Sequence, residues 1–311
     1  MRLVVALGGN ALLKRGEPMT ADAQRANAGR AAASLAALIG AGHHIVVTHG
    51  NGPQVGLLAL QAAAGPKDGA YPLDILGAES EGMIGYLIEQ ELSNLLPSGS
   101  LLATLLTQIR VDASDPAFLH PTKPIGPVYD EPAARRIEMD RGWSFALDGE
   151  KWRRVVASPE PLEILEMRVI KMLSERGVVV ICTGGGGIPV IKRDDGLFAG
   201  VEAVIDKDRA SSLLARQLDA DALLLLTDVD AVYLDFGKPD TRRIARAGAG
   251  TLRALEFATG SMGPKVEAAA MFASATGRPA AIGRLEDALS ILTREAGTRV
   301  EAGHLEIEIR R

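Results

Sequence analysis

Residues 3–13 read LVVALGGNALL: a five-residue apolar run, Leu3–Leu7, opens directly onto Gly8, Gly9 and Asn10. The same grammar returns in residues 45–56, IVVTHGNGPQVG, where Ile45–Thr48 leads to Gly50, Asn51 and Gly52. It returns again in residues 178–190, VVVICTGGGGIPV, where Val178–Cys182 leads to Gly184 and Gly185. These runs do not alternate apolar with polar residues, the pattern of strands covered on both faces of a parallel sheet. Leu101–Ile109, Leu223–Thr227 and Ala280–Ile282 complete the set of expected strands. Between the runs lie helical segments at Asp22–Ala41, Pro53–Ala63, Glu79–Leu96, Pro161–Arg176, Lys207–Leu218, Gly263–Thr276 and Glu286–Thr293. Strand and helix in alternation predict an α/β fold with helices covering a mainly parallel central sheet.

In open α/β sheets, ligands sit at the carboxyl ends of the strands, which is where these glycine turns fall. Glycine there lets backbone N–H groups come close to an anion. A tight turn explains any one of them, whereas three at strand ends predict anion binding. None fits G-x-x-x-x-G-K-[ST], so the chain is not a P-loop enzyme, and Val55 stands where a dinucleotide fingerprint needs its third glycine.

Charges near turns add chemistry. Of 34 basic residues only nine are Lys, and Lys123, Lys207 and Lys265 fall in segments rich in Gly, Pro or Asp. Asp206-Lys207-Asp208 marks an expected helix start, and Met262-Gly263-Pro264-Lys265 opens another. Phosphoryl transfer between anions is catalysed mostly by positioning and positive charge, which lysines supply and carboxylates hold in place. The plainer reading makes Asp206 a helix cap and Lys207 a surface residue. Thr227-Asp228-Val229-Asp230 ends another apolar run; its acids suit a ribose, a metal or backbone amides equally.

The bulk properties set the class. The chain has 311 residues, 47% hydrophobic and 23% charged, as globular proteins do. A net charge of -5 argues against nucleic-acid binding, and no apolar run reaches the length of a membrane span. One cysteine, Cys182, and no signal-like N-terminus point to the cytoplasm. The five histidines lack metal-ligand spacing. Residues 110–161 break the rhythm with seven prolines and both tryptophans, Trp143 and Trp152, and read as a small packed subdomain emerging from the sheet.

With these pieces placed, the chain resembles the carbamate kinases of the amino acid kinase family. The resemblance rests on ALGGNALL (Ala6–Leu13), THGNGPQVGLL (Thr48–Leu58), GMIGY (Gly82–Tyr86), DPAF (Asp115–Phe118), PTKPIGP (Pro121–Pro127), RRVV (Arg153–Val156), GGGGIPV (Gly184–Val190), GVEAVIDKD (Gly200–Asp208), LLTDVDAVY (Leu225–Tyr233) and GSMGPKVEAA (Gly260–Ala269). It implies an open αβα sandwich forming a single domain over residues 1–311, with residues 110–160 protruding on the substrate side. It also implies a homodimer and Mg²⁺-dependent phosphoryl transfer between ATP and carbamate, giving ADP and carbamoyl phosphate. ATP formation in arginine breakdown is the expected direction. Mg²⁺ is expected on the nucleotide phosphates, with no metal ligand from the protein.

By the same resemblance, Lys207 and Lys265 neutralise the transferred group, Asp208 orients them, and Lys123 reaches down from the subdomain. Gly8, Gly9 and Asn10 cradle phosphates, and Gly50, Asn51, Gly52, Gly184 and Gly185 complete the substrate side. Thr227, Asp228, Val229, Tyr233, Met262 and Lys265 form the nucleotide site. Ala157, where proline is expected, and a long tail at 301–311 depart from the family pattern. The alternatives are another acid or phosphate kinase of the same fold, and an inactive nucleotide-binding sensor.

Overall fold

A computed structural model describes residues 1–13, 16–65, 71–257 and 262–310. Gly260 and Ser261 of the GSMGPKVEAA segment, and Arg311 of the tail, lie outside the described residues. The central sheet begins with six parallel strands in the order β15 (Ala280–Arg284), β12 (Ala222–Thr227), β1 (Arg2–Leu7), β2 (His44–His49), β9 (Val179–Ile181) and β3 (Leu102–Thr104). Beyond β15 it turns mixed: β16 (Thr298–Glu301) is antiparallel to β15, and β14 (Arg242–Gly248) is parallel to β16. The short β13 (Tyr233–Leu234) and β17 (Glu308–Ile309) close that edge, so the C-terminal tail is part of the sheet.

Both faces of the sheet are buried, which is why its strands show no alternation. Val4, Ala6, Val46, Leu223 and Leu225 pack with Ile170, Leu214, Val266 and Phe272. Those partners come from helices α6 (Met167–Glu175), α7 (Lys207–Gln217) and α9 (Met262–Thr276). On the other face Leu3, Val5, Leu7, Val47 and Leu224 meet Leu35 and Leu38 of α2 (Ala21–Gly40) and Ile84 and Ile88 of α4 (Leu73–Ser93). Burying each such side chain contributes about 1.5–3 kcal/mol. Local chemistry sets the helix ends: Thr20 caps α2 by accepting from the Ala23 amide at 3.3 Å.

Three expected boundaries are corrected. Leu101–Ile109 is not one strand but β3 and β4 (Gln108–Arg110), which belong to different sheets. The chain leaves the central sheet after the Leu105 amide bonds to Ile181, because the Thr107 amide is taken by the Glu81 carboxylate. The helix expected from Pro161 starts at Met167, because the Leu162 and Leu165 amides are committed to Arg110 and Gln108 carbonyls. Those bonds make β8 (Glu163–Ile164), the edge of a second sheet with β4, β10 (Ile188–Lys192) and β11 (Phe198–Gly200). The helix expected from Glu79 begins at Leu73, directly after Pro72.

Residues 123–156 build a third, antiparallel sheet of β5 (Lys123–Tyr129), β7 (Lys151–Val156) and β6 (Ser144–Asp148). Helix α5 (Glu131–Arg141) lies between β5 and β6, capped by Asp130 and ended by Gly142 in the left-handed region. This sheet seats on α3 (Gly52–Ala64) where two glycines meet. A Cβ at Gly56 would fall 1.9 Å from the Gly126 Cα, so no other residue fits. Ile125 and Val156 then join Val55, Ala59, Leu73 and Leu76 in a small core. At the base of the segment Ala157 bridges Ala203, and its carbonyl accepts from the Val204 amide at 2.9 Å. The alanine at this departure from the family pattern is therefore a buried anchor.

Candidate active site

The carboxyl ends of β12, β1, β2 and β9 line one edge of the central sheet, and the glycine turns converge there. A Cβ on Gly8 would lie 2.9 Å from the Leu226 carbonyl, and one on Gly50 would lie 3.2 Å from the Gly9 nitrogen. Gly185 abuts the Asn51 side chain and Gly184 abuts His49 and Glu81. The glycines do not all serve in the expected way. The Gly8 amide bonds to Leu226, the Gly50 amide to Leu7 and the Gly184 amide to Glu81. These three amides are spent on the protein, so the residues contribute space and not donors. Gly9 and Gly52 have open space where a Cβ would point, and each is the first residue of a helix, where amides lack internal partners. Asn10 follows Gly9 within α1 (Gly9–Leu12).

Helix α7 starts beside these turns and carries the charge. Asp206 caps it, one carboxylate oxygen accepting from the Asp208 and Arg209 amides at 2.9 and 3.2 Å. The other oxygen accepts from the Lys123 ammonium on β5. Asp208, one residue beyond Lys207, faces two ammonium groups: Lys207 at 2.7 Å and Lys265 of α9 at 3.2 Å. Three lysines from three distant segments are thus gathered by two aspartates two residues apart. Asp206 is thus both the helix cap and a holder of a lysine, and which lysine it holds, Lys123, is what the DKD spacing left unseen.

The electrostatics follow from burial. Burial works to raise the Asp208 carboxyl, but Lys207 and then Lys265 outweigh it and hold the group well below the usual carboxylate range. Asp206 is lowered in the same way, burial being overcome chiefly by Lys123. Burial pulls Lys207 below its ordinary value in spite of Asp208. For Lys265 burial also lowers, but Asp208 prevails and Asp228 adds to it, so that ammonium is raised. The Lys207 ammonium has no well-formed hydrogen bond among the described residues, although it touches Asp208. A buried ammonium with unspent donors is ready for an anion.

The residues expected on the nucleotide side continue from the same edge. Thr227 is buried and donates to Asp228 at 3.0 Å. The Tyr233 hydroxyl donates to Asp230 at 2.8 Å, and Arg243 pairs with Asp230 at 3.3 Å, so that second acid is committed to the protein. Val229 lies half-buried between them, and Met262 begins α9 three residues before Lys265.

Glu81, which the sequence reading passed over, holds the glycine turn. It is 1% exposed, and its oxygens accept from the Gly184 amide at 2.7 Å and the Thr107 amide at 3.2 Å. Burial pushes its carboxyl up to about 8, while burial pushes the adjoining His49 down to about 4. A raised acid stabilises the fold fully below its unfolded value of 4.5, and that contribution is lost as pH rises through about 8. A lowered histidine does the opposite between about 4 and 6.5, so the two offset each other below pH 6.5. Between pH 6.5 and 8 Glu81 acts alone, costing up to about 1.4 kcal/mol per pH unit. Glu81→Gln is expected to lower stability overall, because one amide loses its acceptor, and to flatten this decline. Urea unfolding at pH 6.5 and 8 checks it, and an equally steep decline in the variant would reject the assignment. Cys182 is buried and its thiol pushed up by that burial, which suits packing.

A parallel sheet with phosphate-type turns and a lysine–aspartate cluster at one edge defines a phosphotransferase of the amino acid kinase class. The chain belongs to the amino acid kinase family, whose model matches residues 1–284. A carbamate kinase of Rhizobium meliloti (strain 1021) is 55% identical over 309 residues, covering 99% of this chain and 95% of that protein. The carbamate kinase of Escherichia coli (strain K12) is 51% identical over 296 residues, covering 95% of this chain and 98% of that protein. Among solved structures, carbamate kinase from Giardia lamblia bound to AMP-PNP superposes with a TM-score of 0.88 at 43% identity, covering 97% of this chain and 98% of that one.

Proposed function

We propose that this chain is a carbamate kinase, catalysing ADP + carbamoyl phosphate ⇌ ATP + carbamate in the cytoplasm. The observation that carries it is the pairing of Lys207 and Lys265 on Asp208, beside Lys123 on Asp206. That cluster concentrates positive charge where a phosphoryl group passes between two anionic oxygens. Lys207, with unspent donors, would take the transferred group's oxygens, and Lys265 would sit between them and the nucleotide side at Asp228. Lys123, carried by the subdomain at residues 110–160, would close over the same group and help exclude water. Gly9, Asn10 and the α3 start at Gly52 would offer backbone amides to the phosphates. Asn51, whose side chain donates to Ser80 at 2.8 Å, would border the carbamate.

Among the described residues no three His, Cys, Asp or Glu gather to hold a metal. This donor set suits Mg²⁺ carried on the nucleotide phosphates, where it would neutralise charge on their oxygens. We also read the chain as a homodimer through the exposed apolar residues Tyr86 of α4 and Leu106 beside the edge strand β3; a monomeric mass in sedimentation would reject this.

The test mixes the protein with ADP, Mg²⁺ and carbamoyl phosphate and records ATP by luciferase. ATP above the enzyme-free blank, lost without Mg²⁺ and in Lys207→Ala, is the expected result. No ATP from carbamoyl phosphate, with turnover on another acyl phosphate, would move the assignment to a different acceptor.

A further inference from the structure

A second charged recess shares no lining residue with the lysine cluster. A cavity of about 660 Å³ opens between the small antiparallel sheet and the neighbouring helices α3 and α4. Its walls mix apolar and polar surface, with Ala59, Leu73, Leu76, Phe118 and Val156 supplying an apolar stretch and Arg141, Arg154 and Glu202 the charges. Arg154 of β7 enters this recess with its guanidinium 3.7 Å from the centre of the Trp143 ring. Arg141 approaches the same ring at 5.7 Å and spends a donor on the Ala63 carbonyl at 2.9 Å.

Arg154 differs from the other arginine. Among the described residues it makes no hydrogen bond and no ion pair, and ring stacking is its one contact of note. Burial lowers it to about 10, which still leaves it charged at neutral pH. A largely desolvated cation without an anion is costly, and its planar fork of donors matches a carboxylate. The acid nearest to hand, Glu202, is exposed and gives one oxygen to the Leu73 amide at 3.0 Å. Its negative charge at the rim disfavours phosphate and dicarboxylates. The apolar stretch formed by Ala59, Leu73, Leu76, Phe118 and Val156 offers a bed for a ligand's apolar body.

We propose that this recess is a binding site for a small organic monocarboxylate, with Arg154 taking the carboxylate and the apolar walls its body. The ligand would bridge the small sheet to α3 and α4. In the β5–β7 pairing Arg154 stands opposite Ile125 and Val156 opposite Lys123. Occupancy would therefore favour the seated position of the strand that carries Lys123. The site itself stands independently of the reaction assigned above, since binding is read without turnover.

Trp143 and Trp152 are the chain's two tryptophans, so Trp152→Phe leaves Trp143 as the sole indole reporter. The full-length Trp152→Phe protein is titrated with sodium hexanoate, and separately with inorganic phosphate, at constant ionic strength. Hexanoate is expected to change Trp143 emission saturably, and Arg154→Met to weaken that response at least about ten-fold while unliganded turnover stays within about two-fold. Should Arg154→Met fail to fold, Arg154→Lys, which keeps the charge and loses the planar fork, is expected to weaken hexanoate binding likewise. An unchanged emission, an equal response in the Arg154 variant, or saturation by phosphate with none by hexanoate would overturn the proposal.

Discussion

Asp208→Asn is expected to be the most damaging single change at the lysine cluster, lowering stability and turnover together. The carboxylate touches the Lys207 and Lys265 ammonium groups at 2.7 and 3.2 Å, and side-chain exposure there is only 9%, 13% and 5% for Lys207, Lys265 and Asp208. An amide of the same shape leaves two buried cations facing each other without the carboxylate they both touch. Breaking a buried ion pair from one side costs roughly 3–5 kcal/mol. Lys207, already pulled down by burial, would then shed its proton more readily, which removes charge that the transferred group needs. Urea unfolding at neutral pH measures the first effect and steady-state kcat the second. Wild-type stability in the variant would show that Asp208 is not what holds the two lysines.

Lys207→Ala is expected to separate the two properties. Removing one of two ammonium groups leaves Asp208 paired with Lys265 and relieves their mutual repulsion, so the fold loses little. Turnover should fall about 10²–10³-fold, the scale found when one preorganised group at a developing charge is deleted. Lys265→Ala should behave alike, with a larger effect on nucleotide binding because its ammonium also feels Asp228. The comparison to make is kcat against the unfolding midpoint. Near-normal turnover in either variant would take that lysine out of the catalytic set.

These expectations combine what was legible along the chain with what was not. The unbroken apolar runs at Leu3–Leu7 and Leu223–Thr227 announce strands buried on both faces, because a local run of that kind has no solvent-facing side to offer. The glycine turns after them mark the edge of the candidate site for the same reason: short-range backbone geometry is written in adjacent residues. Lys207 and Asp208 were legible because a helix start fixes neighbours within one turn.

The misreadings share a cause. Leu101–Ile109 looks like one strand, and Pro161–Arg176 like one helix, until amides of Thr107, Leu162 and Leu165 find partners elsewhere in the fold. Gly8, Gly50 and Gly184 carry the composition of phosphate-binding residues, yet their amides are spent inside the protein. Glu81 gives no sign in a helical stretch of its sequence, since its role depends on Thr107 and Gly184, far away along the chain.

The sequence alone therefore determined the α/β layering and the edge at which the glycine turns and the charged segments meet, since each depends on near neighbours. Only the tertiary structure decided which aspartate holds which lysine, which amides remain free, and that Arg154 makes no ion pair among the described residues. Most of those outcomes depend on contacts between segments far apart along the chain, such as Lys265 and Asp208 at 57 residues or Lys123 and Asp206 at 83, and folding alone brings them together.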